Sequence, residues 1–261
     1  MNVSVKTITT VLTTLLVASS LLLLAGVNLA DARGVDAGGG NARGTDAAGT
    51  LDEIEATHLA FMREEEKLAR DVYLTLHQRY KNTKTPFSEI DDSEQRHTDA
   101  VAGMLHRYGE PDPNTDDAIG VYTGKYADYF TQKYNALVDV DTPYPDHPLN
   151  HSSNPLLNAL YHGAFIEELD MNDIAYCPYV MLDGYDKDGI YYEPVEGIDP
   201  DVGCGRDYTD EKSIKQLYEH LLSGSENHLR AYVHAIEKII GEGQYRAQYL
   251  TQEEVDGYLG R

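Results

Sequence analysis

A carboxylate and an imidazole three residues apart, in Glu94-Gln95-Arg96-His97, constrain this chain more than any other feature. On a helix such a pair leaves the same face, one turn apart. Phe87, Ile90, Val101, Leu105 and Tyr108 fall on that face as well. The pair is therefore aimed into a core, where a carboxylate without a partner is costly. A metal ion is the partner that answers both groups at once.

The flanking sequence predicts the helices such a core needs. Thr50-Leu51-Asp52-Glu53 fits a capping box, so a helix is expected to start there and run through Tyr80. Met62, Ala69, Val72, Tyr73 and Leu76 form its apolar stripe. Lys81 to Thr85 is a short polar connection, Pro86 suits the first turn of a second helix, and Gly109 with Pro111 ends it. So short a link makes the two helices antiparallel. From Glu110 to Ser153 the chain is irregular, apart from a short helix near 125–138. Asn154-Pro155 reads as N-cap and first position of a third helix reaching about Tyr176. A Gly/Asp/Tyr-rich loop spans 177–208, and a fourth helix, capped by Thr209 or Asp210, continues to Ile240 and a Gly241 stop. Two antiparallel pairs joined by one long crossover predict an all-α, ferritin-like four-helix bundle over 50–250. The loop at 177–208 is inserted between helices three and four, and 251–261 is a short tail.

Acid recurs at mid-height in these helices. In Arg63-Glu64-Glu65-Glu66-Lys67 only one or two glutamates are expected to face inward. The stripe selects Glu66, with Glu65 at its edge. The run reads equally well as a solvated face with i,i+4 pairs such as Glu66 and Arg70. In helix three, Glu167 lies on the stripe of Leu156, Leu160, Ala164, Met171 and Ile174, Asp170 shares its face, and Glu168 is expected to point to solvent. A plainly polar end of the helix is the alternative. In helix four, His228 lies on the stripe of Ile214, Leu217, Leu221, Tyr232, Ala235 and Ile239, while Glu226 diverges. Four coincident inward clusters point to a cation, and carboxylates with two imidazoles suit Fe, Mn or Zn. Tyr73 hydrogen-bonds a ligand carboxylate, carries an oxidising equivalent, or simply fills the core.

The motifs Glu66…Ala69…Tyr73, Glu94-x-x-His97, the helix-three glutamate and the helix-four histidine resemble the ferritin-like di-iron superfamily, rubrerythrin-type proteins included. The run Met62 to Tyr73, with Ser93 to His97 and Asn227 to Arg230, is closer still to an uncharacterised prokaryotic ferritin-like domain family. The resemblance implies Glu66 and Glu167 as terminal ligands, Glu94 as a bridging ligand, and His97 and His228 as imidazole ligands. It also implies Fe(II) oxidation with O2 or peroxide as the activity; a metal-binding or structural module without turnover is the alternative. One position departs from the pattern: Ser225 stands where a second Glu-x-x-His would begin. Two ferrous ions would then meet three carboxylates, unless Asp170 supplies the fourth; otherwise one ion is held, or a second more weakly. Asp170 acting as an acceptor for a ligand histidine is equally open.

Residues 1–32 read as a secretory signal, with Lys6, an apolar stretch and Ala30-Asp31-Ala32 at the cleavage point; a retained membrane anchor is the alternative. Residues 33–49 read as a flexible Gly/Ala/Asp-rich linker. The expected location is extracytoplasmic. There Cys177 and Cys204, the chain's two cysteines, are expected to form a disulfide. A net charge of −23 argues against nucleic acid as a partner and agrees with cation binding. Bundles of this kind commonly form homodimers. Asp183, Asp186 and Asp188 resemble part of a calcium loop in the wrong register, and His147, His151 and His162 are candidates for an accessory metal site.

Overall fold

A computed structural model of the chain describes residues 49–143 and 146–261, the side chain of Asp91 aside. The signal segment and nearly all of the linker lie outside the described residues. The described chain is mainly helical. Its long helices are α1 (Glu53–Tyr80), α2 (Phe87–Tyr108), α4 (Pro155–Ala175) and α6 (Lys212–Ile240), with shorter α3 (Ala127–Val138), α5 (Tyr179–Leu182) and α7 (Gln252–Leu259). No helix among the described residues is long and apolar enough to cross a membrane.

Local chemistry explains most boundaries. The capping box of α1 is Asp52 with Glu55, two residues beyond the expected start: the Asp52 side chain accepts from the Glu55 N–H at 2.8 Å, and Glu55 accepts from the Asp52 N–H at 3.1 Å. Gly109 ends α2 at φ 76°, a left-handed conformation glycine adopts without strain. Asn154 caps α4, as expected, by accepting from the Leu156 N–H at 3.1 Å. Glu211, rather than Thr209 or Asp210, occupies the N-cap of α6; Thr209 Oγ1 instead accepts the Glu211 N–H from the turn before it.

Helix α1 packs along α2 and α4 along α6, and the two pairs meet where α1 faces α4 and α2 faces α6. Helix α3 covers another flank of α1. The resulting core includes Leu59, Met62, Val72, Tyr73, Phe87, Val101, Leu105, Ala164, Ile174, Leu221, Tyr232 and Ile236.

Three expectations about burial are corrected here. Glu64, Glu65 and Glu66 are all buried, at 1%, 2% and 1% exposure, because α3 and the segment before it roof the face of α1 that would otherwise be wet. Glu64 accepts from the Gly124 N–H at 2.9 Å. Glu168 is buried instead of solvated: the hydroxyl of Tyr245 and the N–H groups of Gln248, Tyr249 and Leu250 all donate to it, at 2.5–3.0 Å. Ile239 is exposed although it lies on the apolar stripe; it borders a surface cavity shared with Lys84, Pro86 and Leu156.

The inserted 177–208 segment is not all loop. It contains α5 and an antiparallel hairpin, β1 (Tyr185–Lys187) with β2 (Ile190–Tyr192), pairing Tyr185 with Tyr192. Asp188 and Gly189, both at positive φ, turn that hairpin. The Cys177–Cys204 disulfide is formed, tying the two ends of the insertion together.

Candidate metal centre

Four helices converge on Glu94. Its Oε2 lies 3.0 Å from Nδ1 of His97, one turn along α2, and that same nitrogen is 3.4 Å from Oε2 of Glu66 on α1. Its Oε1 lies 2.7 Å from Nδ1 of His228 on α6, which is 3.5 Å from Oε2 of Glu167 on α4. Two buried triads result, Glu66–Glu94–His97 and Glu94–Glu167–His228, each with its ligand atoms within 4.8 Å of one another. Each can hold a metal ion, and Glu94 belongs to both. The imidazoles of His97 and His228 stack with centroids 5.6 Å apart.

The hydrogen-bond inventory of the centre is incomplete. Neither oxygen of Glu66 has a hydrogen-bond partner. The 2.7 Å approach of His228 Nδ1 to Glu94 Oε1 lacks hydrogen-bond alignment, and both atoms are unsatisfied. Buried carboxylates in this condition are rare unless something else takes their lone pairs.

The charges are strongly perturbed. Burial opposes ionisation of Glu94, but His97 and His228 together outweigh it and hold its carboxyl far below the usual range. Burial likewise disfavours imidazolium at His97 and His228; the facing carboxylates reverse this and raise them to about 11 and about 10. Glu66 is pushed up to about 7, chiefly by burial, with His97 opposing. Burial also raises Glu167. The two imidazoliums thus offset part of the carboxylate charge, and a metal binding there would expel their protons.

Supporting residues fix these side chains. The Tyr73 hydroxyl donates to Oε1 of Glu167 at 2.6 Å, while its ring is buried in the core. Gly163, on α4, lets Tyr232 pack: a Cβ there would stand 2.4 Å from the ring. Gly224 does the same for His97, whose Cε1 and Nε2 would lie 2.4 and 2.6 Å from an added Cβ. Periodicity gave no signal for Gly224, because a missing side chain leaves no mark on an apolar stripe.

Asp170 is buried on the same side of α4, and its Oδ2 accepts from the Ser225 hydroxyl at 2.5 Å. It stands outside both triads. Glu65 is outside them too; it faces Asp173 and Asp170. The accessory histidines form no metal-sized group among the described residues. The His147 and His162 rings stack at 5.7 Å, and His162 Nδ1 donates to the Leu137 carbonyl at 2.7 Å.

The chain has recognisable relatives among known proteins. The chain is 34% identical over 206 residues to the uncharacterized protein MJ0754 of Methanocaldococcus jannaschii, covering 79% of this chain and 86% of that protein. The crystal structure of hypothetical protein MJ0754 superposes with a TM-score of 0.60 at 33% identity, covering 82% of this chain and 95% of that one. Residues 55–177 and 194–260 match the family described as "Uncharacterized protein domain (DUF2202)". The matched segments contain every triad residue and omit 178–193, where α5 and the hairpin lie. The chain belongs to the DUF2202 family.

Proposed function

We propose that this protein is a ferritin-like four-helix metalloprotein in which Glu66, Glu94, His97, Glu167 and His228 hold two iron ions and support Fe(II) oxidation by O2 or peroxide. The observation that carries the reading is Glu94, with one oxygen committed to each of two Glu/His triads. The unsatisfied oxygens of Glu66 and the unaligned His228 contact fit a donor set awaiting a cation. Oxygen and imidazole donors in this mixture suit iron, with Mn and Zn as alternatives.

Bound ferrous ions would supply the reducing electrons. The chain's own residues set the conditions. Glu66, Glu94 and Glu167 favour the higher charge of the oxidised ion by electrostatics. Asp170 adds a fourth buried carboxylate against two divalent ions, compensating Ser225 at long range rather than as a triad ligand. Tyr73 holds Glu167 in place. The low exposure of all five donors excludes bulk water. Extracytoplasmic placement is part of the proposal, supported by the reading of residues 1–32 and by the disulfide.

Metal analysis after reconstitution, with an Fe(II) oxidation assay, tests this. Two metals per chain and turnover that is lost in Glu94→Ala support it. Near-zero metal, or binding unchanged in Glu94→Ala, overturns it. Two metals without turnover favour the non-catalytic binding module that Ser225 brings to mind.

A further inference from the structure

A surface groove lies where the start of α2, the first turns of α4 and the last turns of α6 come together. Its volume is about 570 Å³, within the range of roughly 300–1,000 Å³ common to small-molecule sites. None of the five triad residues lines it. Its apolar wall is Leu156 and Leu160 from α4 with Ala231, Ala235 and Ile239 from α6. These residues repeat at four-residue spacing, so each helix presents a continuous stripe to the groove. Ile239 is 45% exposed at the outer end of that wall, an apolar side chain that folding alone leaves wet. The α6 stripe from Ala231 to Ile239 runs roughly 12 Å, the reach of an acyl chain of about ten carbons.

The rim carries the opposite sign from the rest of the molecule. Lys84, in the α1–α2 connection, and Lys238, in the last turn of α6, both line the groove, with His234 one turn before Lys238. Glu89 is the acid that accompanies them. Elsewhere the cations are committed: Lys67 and Arg70 pair with Asp71, and Arg79 pairs with Asp141. Among the described residues, Lys84 and Lys238 have no ion-pair partner. In a chain with 44 acids and 21 bases, two unpaired lysines beside one apolar groove make a local exception. The net charge of −23 is screened beyond about 8 Å at physiological salt, so these lysines set the field that a ligand meets inside the groove.

We propose that this groove binds a small amphipathic carboxylate, an unbranched acyl chain of medium length with a single anionic head. The chain lies along Leu156, Leu160 and Ile239, and the head takes the rim of Lys84 and Lys238. Lysine suits this head because its ammonium is a compact charge on a flexible stem, and the stem itself extends the apolar wall. The site stands whether or not the Glu94 centre holds metal.

Crystals of the full chain soaked in 10-bromodecanoate, with bromine anomalous scattering recorded, locate the ligand. Calorimetric titration of decanoate and of decanol, which has the same chain without the charge, separates the two contributions. A bromine peak in the groove and tighter binding of decanoate than of decanol are the expected results. K84Q/K238Q is expected to weaken decanoate about tenfold, the effect of two exposed charge contacts, and to leave decanol unchanged. Ile239→Ser is expected to weaken both ligands by about fivefold. All three positions are exposed, so the variants should keep the helical content and the metal stoichiometry of the parent chain. No decanoate binding by the parent chain, a bromine peak elsewhere, or decanol bound as tightly as decanoate overturns the proposal. Unchanged decanoate affinity in K84Q/K238Q does the same. Sedimentation with phosphatidylglycerol vesicles without binding of free decanoate also overturns it, and gives this face to a membrane surface instead.

Discussion

The hydroxyl of Ser225 donates to Oδ2 of Asp170 across 2.5 Å, linking α6 to α4 beside the Glu94 centre. Asp170 thereby stays buried, with its carboxyl pushed well above the ordinary range by burial and by Glu66, while Ser225 pulls it back. If Asp170 supplies the fourth charge, Asp170→Asn should weaken the second metal more than the first, by tenfold or so at an effective dielectric near 20. Ser225→Ala should weaken it less, because the charge remains. Stepwise metal titration of both variants checks this; equal loss of both metals would contradict it.

Glu94 is the counter-ion of two imidazoliums. Replacing it in Glu94→Gln leaves His97 and His228 facing each other without their main partner, so the pKa of each should fall from about 11 and about 10. Breaking a buried pair of this kind costs about 3 kcal/mol or more. Urea unfolding of the metal-free variant should show that loss, and metal titration should show both ions gone. A variant that still binds one ion would mean that the triads are independent.

Gly224→Ala should act through His97 alone. The added Cβ would lie 2.4 Å from the ring, forcing a shift that typically costs about 1–3 kcal/mol in a packed interior. The Glu66–Glu94–His97 triad should lose its metal while the other triad keeps its own. Gly103→Ala is the control, since an added Cβ there meets nothing within 4 Å. That change should stabilise α2 by about 0.5–1 kcal/mol. Metal stoichiometry and thermal unfolding of the two variants give the comparison.

His58 sets an acid limit on stability. It is fully buried, with Nε2 donating to the Asp173 carbonyl at 2.9 Å and Nδ1 accepting from the Tyr218 hydroxyl at 2.7 Å, so the ring is neutral. Burial lowers its pKa from 6.5 to about 4, the carbonyl contact opposing. The unfolded chain therefore takes the proton first. This contribution to stability is complete above pH 6.5 and is lost as pH falls toward 4, at up to about 1.4 kcal/mol per pH unit. An NMR titration of the His58 ring should show no protonation above about pH 5; a midpoint near 6.5 would refute the buried neutral ring.

The residues that sequence alone located share one property: they sit on helices whose apolar stripe marks the inward face. Glu94, His97, Glu167 and His228 are legible because 3.6-residue periodicity assigns each a direction. Helix limits at Tyr80, Gly109, Asn154 and Gly241 are legible because capping is chemistry between near neighbours. The cysteine pair was legible from its count.

Tertiary structure decided what a single helix cannot encode. Periodicity assumes that each helix has one covered face, but α1 is covered on several, so Glu64 and Glu65 are buried beside Glu66. Glu168 is buried because residues 245–250, far along the chain, fold back to donate to it. The division of Glu94 between two triads, the clearance that Gly224 gives His97, and the place of Asp170 outside those triads are distances between helices. Sequence fixes the direction in which a side chain leaves its own helix; the packing of other helices decides what it meets there.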